Sequence, residues 1–114
     1  MQRPGADPDN MEMADFLCDF CGEAWTDDRP MVEGHQGHAV CGVCLAAAFR
    51  ALVLKTGDAP ALPGEKCIMC LETRQEPHWS PPAKPEARIC TRCTRQSAAV
   101  LSKEKEMGWQ RPAS

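Results

Sequence analysis

Eight cysteines in a chain of 114 residues restrict its fold more than any other feature. They form four Cys-x-x-Cys pairs, and 19 residues separate the two pairs in each half of the chain. The same spacing twice in so short a chain indicates an internal repeat. The four pairs are Cys18 and Cys21, Cys41 and Cys44, Cys67 and Cys70, and Cys90 and Cys93.

The repeat divides the chain into two small units. We predict one four-cysteine unit at 16–55 and another at 65–106, which we call the first and the second repeat. Between them, 56–64 is rich in glycine and proline without helical or strand periodicity, which is typical of a linker. The ends, 1–15 and 107–114, are polar and contain proline or glycine, so we expect disordered tails there.

Units of this size cannot fold by burying apolar surface alone. Below about 40 residues, a hydrophobic core seldom offsets the conformational entropy of folding, so the cysteines must contribute through disulfides or a metal. The N-terminal sequence MQRPGADPDN has neither the apolar core nor the cleavage-site pattern of a secretion signal. The longest apolar run is too short to cross a membrane. We therefore expect a cytoplasmic chain, in which thiols stay free or bind metal.

Four thiolates are the ligand set of a structural zinc ion, which binds them tetrahedrally at about 2.3 Å. We therefore predict two zinc ions per chain. One ion per repeat is favoured over a cross-braced arrangement, because each unit of a duplication must once have folded alone. The predicted ligands are Cys18, Cys21, Cys41 and Cys44 in the first site, and Cys67, Cys70, Cys90 and Cys93 in the second.

Other uses of the cysteines are less favoured. A single Cys-x-x-Cys pair could form a redox motif or a disulfide loop, but four pairs at a repeated spacing are typical of metal sites. Iron in a rubredoxin-like site is the closest alternative, and it would make the chain a redox or electron-transfer protein. Such sites carry glycine after both pairs, whereas only Cys21 is followed by glycine here. Zinc is therefore the predicted metal.

Both repeats predict the same order of elements: a turn at the first pair, a short β-hairpin, and a helix that begins at the second pair. A helix start suits the second pair because its unpaired N–H groups and its dipole favour a thiolate. Gly57 is a natural residue for ending the first helix. The expected strands lie at 30–33, 38–40, 78–79 and 87–89, and the expected helices at 42–55 and 91–107.

The sequence contains no recognisable catalytic set. His35, His38 and His78 are expected to be residues of the loops and hairpins rather than zinc ligands, because four cysteines already fill each zinc shell. A filled shell has no open position at which zinc could activate water. No Ser/His/Asp set and no phosphate-binding glycine loop can be found in the sequence. We predict that the chain is not an enzyme.

Three short motifs carry a family resemblance: CDFCG at 18–22, MVEG at 31–34 and VCGVCL at 40–45. They are similar to those of the N-terminal four-cysteine zinc-binding domain of the ClpX chaperone. The second repeat shares the cysteine pattern and an apolar residue, Ile89, before its second pair. The resemblance implies a treble-clef fold in each repeat, zinc on all eight cysteines, and a dimerising module that recognises substrates and adaptors. It does not imply unfoldase activity, because the chain has no Walker motif.

The leading functional hypothesis is a protein-interaction module, adaptor-like or regulatory, whose partner is an adaptor, a substrate or a chaperone component. The chain carries more large apolar side chains than two tiny cores need, so the surplus either contacts a partner or packs between the repeats. In the second case the monomer forms an intrachain pseudo-dimer; a homodimer is the alternative. No membrane partner is expected. The partner-binding candidates are Phe20, Trp25, Met31, Phe49, Val53 and Trp79.

Nucleic-acid binding is the second functional class. Arg88, Arg92 and Arg95 would form one basic face if the second helix extended back to Arg88. Alternatively, these arginines and Lys84 compensate the negative charge of the second zinc site. The net charge of −3 favours compensation, because general nucleic-acid binders are basic.

Overall fold

The computed structural model describes residues 16–26, 29–34, 38–55, 66–81, 84, 86–103, 108–110 and 112. The predicted tail at 1–15, the predicted linker at 56–64 and His35 lie outside these residues. Within them, each repeat contains a turn at its first cysteine pair, an antiparallel hairpin of two strands, and a helix. The chain is thus a small α+β protein in which one arrangement of elements occurs twice.

The first repeat confirms the predicted hairpin and helix. Strand β1 (Met31–Glu33) pairs antiparallel with strand β2 (Ala39–Cys41). Helix α1 (Gly42–Phe49) follows β2 without a loop and continues as a π-helical turn, Arg50–Leu54. The second cysteine pair therefore lies at the junction between a strand and a helix.

The helix of the first repeat ends earlier than its sequence predicts. Lys55 adopts a left-handed conformation with φ of 58° and donates its backbone N–H to the carbonyl oxygen of Arg50. The residue that turns the chain out of the helix is therefore Lys55, and Gly57, predicted for this role, lies outside the described residues.

No helix in the described part of the chain combines the length and the apolar character that crossing a membrane requires.

The second repeat has the same elements with a shorter hairpin. Strand β3 (His78–Trp79) pairs antiparallel with strand β4 (Ile89–Cys90), and helix α2 (Thr91–Ser102) follows at once. Lys103 ends the helix in a tighter turn, because its N–H bonds to the carbonyl oxygen of Val100 at 3.2 Å. The helix predicted to extend to 107 thus ends at Ser102, and 104–107 lie outside the described residues.

The two repeats share one hydrophobic core. Phe20 of the first repeat stacks on Trp79 of the second, with ring centroids 5.9 Å apart, and α1 contacts α2. Gly34 lies so close to the second repeat that a Cβ there would meet the carbonyl oxygen of Met69 at 2.6 Å. Besides cysteines, the core contains Phe20, Val40, Leu45, Ala48, Ala51, Leu52, Met69, Trp79, Ala87, Ile89 and Leu101.

Candidate metal centres

The described residues contain two groups that could each hold a metal ion, and both consist of cysteines alone. In each group the four Sγ atoms all lie within 4.8 Å of one another. The grouping follows the sequential arrangement, with one group per repeat. The first cysteine cluster comprises Cys18, Cys21, Cys41 and Cys44, and the second comprises Cys67, Cys70, Cys90 and Cys93.

The spacing of the sulfur atoms fits a tetrahedral metal shell. A zinc ion about 2.3 Å from each of four thiolates places neighbouring sulfur atoms about 3.8 Å apart. The Sγ atoms of Cys21 and Cys41, which belong to different Cys-x-x-Cys pairs of the first cluster, are 3.6 Å apart. Four thiolates at this separation repel one another strongly unless a cation lies between them. The donor set and its spacing therefore fit a divalent metal.

The helix starts hold the second pair of each cluster in matching positions. Cys41 caps α1 and Cys90 caps α2, both with extended backbone angles. The Sγ of Cys41 accepts the N–H of Cys44 at 3.5 Å, and the Sγ of Cys90 accepts the N–H of Cys93 at 3.4 Å. A cysteine thus replaces the usual oxygen at the N-cap, and the helix dipole stabilises its thiolate.

Backbone N–H groups also point at the first cysteine of each cluster. In the first repeat, Phe20 and Cys41 each donate an N–H to the Sγ of Cys18 at 3.3 Å. In the second repeat, Met69 and Cys90 donate to the Sγ of Cys67 at 3.3 Å and 3.4 Å. The two repeats therefore build their clusters with equivalent hydrogen bonds.

The turn at the first pair, which we call the knuckle (18–22 and 67–71), requires a left-handed residue. Gly22 has φ of 80° and Leu71 has φ of 61°. Their N–H groups bond to the carbonyl oxygens of Cys18 and Cys67, each at 2.8 Å. The second knuckle therefore adopts the same turn without the glycine, although leucine is disfavoured in this conformation.

Each cluster has an arginine that the sequence analysis did not identify. Arg29 places Nη1 3.5 Å from the Sγ of Cys41 and 3.7 Å from that of Cys21, and hydrogen bonding to Cys41 raises the pKa of this guanidinium. In the second repeat, hydrogen bonding to Cys70 raises the pKa of Arg74. In the sequence of each repeat, the arginine lies between the knuckle and the hairpin. This position could have been used to identify it.

Hydrogen bonding between thiols separates their pKa values within each cluster. A hydrogen bond with Cys18 lowers the pKa of Cys41, and a hydrogen bond with Cys90 lowers that of Cys67. In turn, hydrogen bonding with Cys67 raises the pKa of Cys90 to about 12. In each metal-free cluster, a neighbouring thiol thus favours ionisation of one cysteine, Cys41 or Cys67.

Lys84 does not lie where the predicted charge compensation of the second cluster requires it. Its Nζ lies 3.4 Å from the position that a Cβ on Gly22 would occupy, so Lys84 lies beside the knuckle of the first repeat. Lys84, which lies between β3 and β4 in sequence, thus reaches the other repeat, and sequence spacing could not show this contact. Arg74, whose pKa is raised by hydrogen bonding to Cys70, is a cation associated with the second cluster.

The predicted basic helical face is also wrong in part. Helix α2 begins at Thr91, and the residues before it belong to β4, so Arg88 is not on the helix. Arg92 and Arg95 are exposed on α2, but the backbone N–H of Arg92 bonds to a carboxylate oxygen of Glu76 at 3.1 Å. The face therefore contains two arginines next to an acidic residue.

The histidines with described positions make contacts outside the cysteine clusters. Nδ1 of His38 lies 3.1 Å from a carboxylate oxygen of Asp19, and the other oxygen of Asp19 accepts the N–H of Ala39 at 2.6 Å. His78 is completely buried in β3, with Nδ1 2.8 Å from the carbonyl oxygen of Glu76. Neither histidine belongs to a described group that could hold a metal ion, and Nε2 of His78 is buried without a hydrogen-bond partner among the described residues.

The partner-binding candidates fall into two groups. Three of them, Phe20, Phe49 and Trp79, are at most 8% exposed and belong to the interior. A side chain buried in this way cannot contact a partner without unfolding, so these three are removed from the candidate surface. The candidates that remain partly exposed are Trp25, Met31 and Val53.

Comparison of the chain with protein families, with curated proteins and with solved structures finds no match.

Proposed function

We propose that the chain is a non-catalytic, zinc-stabilised protein-interaction module, adaptor-like or regulatory, with one zinc ion in each cysteine cluster. The all-thiolate donor set supports zinc, which accepts four sulfur ligands without a geometric preference of its own. Four protein ligands complete the shell, so neither ion would have an open position for water or a substrate. The metal would then serve folding, and recognition would depend on the protein surface.

We further infer a treble-clef form for each repeat and a pseudo-dimer within the chain. The order of knuckle, hairpin and cysteine-capped helix supports the first inference. Reciprocal contacts support the second: the knuckle of the first repeat lies beside Lys84 in the other hairpin loop, and Gly34 of the first hairpin lies against Met69 in the other knuckle. In the ClpX-like domains that the first repeat resembles, two chains make the corresponding contact.

One surface feature carries the proposal of protein recognition. The outer side of the first hairpin forms an apolar groove of about 200 Å³, which we call the outer groove. A backbone hydrogen bond of 3.0 Å from Trp25 to Phe16 holds one wall of the groove. Neither residue is part of the core shared by the repeats. The groove is lined by Phe16, Trp25, Met31, Glu33 and Ala39.

The composition of the outer groove fits a peptide segment of a partner protein. Aromatic and methionine side chains provide a large, adaptable apolar contact area, and they are enriched where proteins bind each other. Glu33 is exposed at the edge of the groove and would attract a basic residue next to the inserted apolar side chain. The bound segment would thus combine one apolar anchor with a positive charge.

Affinity capture with matched variants tests this proposal. Trp25→Ser with Met31→Ser should abolish capture of a partner protein that the unchanged chain retains. Val100→Ser is the control, because Val100 is 52% exposed on α2 and lies outside the outer groove. Two zinc ions per chain in every variant would show that the fold is intact. Equal capture by all variants, or capture only of nucleic acid that nuclease treatment releases, would overturn the proposal.

A further inference from the structure

Trp109, in the segment after α2, packs against the start of α1. Its indole Nε1 donates a hydrogen bond to the carbonyl oxygen of Gly42 at 2.9 Å. A Cβ on Gly42 would lie only 2.6 Å from the Cδ1 of Trp109, so the indole occupies the space that any larger residue would fill. Trp109 lies in the segment predicted to be a disordered tail, but in the structure it packs against the core.

The second repeat provides an internal comparison for this contact. Because Cys41 and Cys90 both cap their helices, the residues that follow them occupy equivalent positions. In α1 these positions are small or apolar, and Val43 is 57% exposed. In α2 they are polar, and the hydroxyl of Thr91 bonds to the carbonyl oxygen of Pro77 at 2.8 Å. Gly42, Val43 and Ala46 of α1 correspond to Thr91, Arg92 and Arg95 of α2.

The same fold therefore has a charged helix start in one repeat and an apolar one in the other. An exposed valine contributes little to the stability of a helix start, whereas it contributes to binding if another apolar group covers it. A cavity of about 290 Å³ lies directly beside the indole of Trp109. Trp109 thus covers only part of the apolar surface. The surface, which we call the indole site, comprises Pro30, Gly42, Val43, Ala46 and Arg50.

We propose that the indole site binds a tryptophan-bearing segment of a partner protein, and that Trp109 occupies it within the chain until such a segment displaces it. The carbonyl oxygen of Gly42 specifies the indole, because phenylalanine has no N–H to donate. Arg50 is exposed at the edge of the site and has no ion pair with any described residue. An acidic residue after the partner's tryptophan would pair with Arg50, where this chain has Gln110.

Displacement is feasible because Trp109 is only half-buried. A segment attached by a short linker has an effective concentration of about millimolar. A partner segment therefore needs either higher intrinsic affinity, which the acidic residue provides, or several contacts elsewhere. The indole site is separate from the outer groove, so a negative result at one site does not contradict the proposal for the other.

Peptide binding to the zinc-loaded, full-length chain tests the proposal. The probe is a fluorescein-labelled peptide with the sequence of 107–114, MGWQRPAS. It should bind the Trp109→Ala chain and bind the unchanged chain at least about tenfold more weakly, because Trp109 competes within the chain. Replacing tryptophan by alanine in the peptide should abolish binding. Replacing the glutamine of the peptide by glutamate should strengthen binding severalfold, and Arg50→Gln in the chain should remove that gain.

Two further variants complete the test. Gly42→Ala should weaken peptide binding in the Trp109→Ala background, because its Cβ enters the space of the indole. If Trp109→Ala loses zinc or fails to fold, Trp109→Phe, which keeps an aromatic ring but lacks the N–H, replaces it in the same experiment. Equal binding to the unchanged and substituted chains, or no binding to a folded substituted chain, would overturn the proposal.

Discussion

The ring of Phe20 lies stacked on the indole of Trp79, with centroids 5.9 Å apart and planes inclined by 29°. This contact joins the knuckle of the first repeat to the hairpin of the second. Both side chains are almost fully buried, at 1% and 5% exposed. We therefore expect the ring pair to couple the stability of the two repeats to each other.

Replacing Trp79 should destabilise the whole chain. Trp79→Ala removes a large buried side chain and its ring partner, for which a loss of about 3–5 kcal/mol is typical. Denaturant unfolding of the zinc-loaded chain measures the free energy. Trp25→Ala is the matched control, because Trp25 is only half-buried and lines the outer groove, and its loss should be clearly smaller. Equal losses for the two variants would show that the ring pair does not couple the repeats.

The left-handed residues of the knuckles should respond oppositely to substitution. Gly22→Ala introduces a Cβ at φ of 80° and should destabilise the chain by about 1–2 kcal/mol. Leu71→Gly relieves the same backbone strain at φ of 61° and should be neutral or stabilising by about 1 kcal/mol, less the entropy that glycine gains on unfolding. Thermal unfolding of both variants measures the difference. Destabilisation by Leu71→Gly would mean that side-chain packing of Leu71 outweighs the strain.

Cysteine spacing was sufficient to predict the local architecture. Ligand sets follow from the pairs themselves, because a Cys-x-x-Cys turn can bring two sulfur atoms to one metal. Helix starts at Gly42 and Thr91 follow from the preference of a thiolate for a helix N-terminus. The predicted strand boundaries lie within two residues of those in the structure.

Contacts between the repeats could not be predicted in the same way. Nothing local in the sequence shows that Lys84 lies beside the first knuckle, or that Trp109 reaches Gly42 across 67 residues. Leu71 shows the limit of residue preference, because the metal-ligand turn imposes a conformation that leucine disfavours. The burial of Phe20 and Trp79 likewise depends on how two units pack, and spacing within one unit carries no information about that.

Zinc binding should weaken steeply as the pH falls. Without metal, hydrogen bonding with Cys41 raises the pKa of Cys18 to about 11, and hydrogen bonding with Cys18 raises the pKa of Cys44. Both thiols are then protonated at neutral pH and must lose their protons when zinc binds. Release of about two protons or more per ion makes the apparent affinity fall about a hundredfold per pH unit on acidification. Competition with a chromophoric chelator, below and above neutral pH, measures how the apparent zinc affinity changes with pH. A change of about tenfold or less per pH unit would contradict the expectation.

Arg29 and Arg74 should each stabilise zinc in their own cluster. Arg29→Gln removes the guanidinium that donates to Cys21 and Cys41, and the loss of such an outer contact typically lowers metal affinity about 10–100-fold. Arg74→Gln should weaken only the second site. Arg95→Gln is the control, because Arg95 is exposed on α2. Chelator competition that resolves two release steps measures each site, and unchanged release in both variants would show that the arginines do not act on the metal.

Separating the repeats should expose the surface that they share. Fragments 1–58 and 62–114 each retain one complete cysteine cluster, so each should bind one zinc ion. Each would also present one half of the ring pair to water, and Gly34 and Met69 would lose their mutual contact. We therefore expect the zinc-loaded fragments to self-associate alone and to form a one-to-one complex when mixed, which sedimentation and isothermal titration calorimetry would detect. Trp79→Ala in the second fragment should abolish the complex without loss of zinc. If both fragments are folded, monomeric and indifferent to each other, the pseudo-dimer is wrong, and the apolar faces of the two repeats would instead be available to a separate partner.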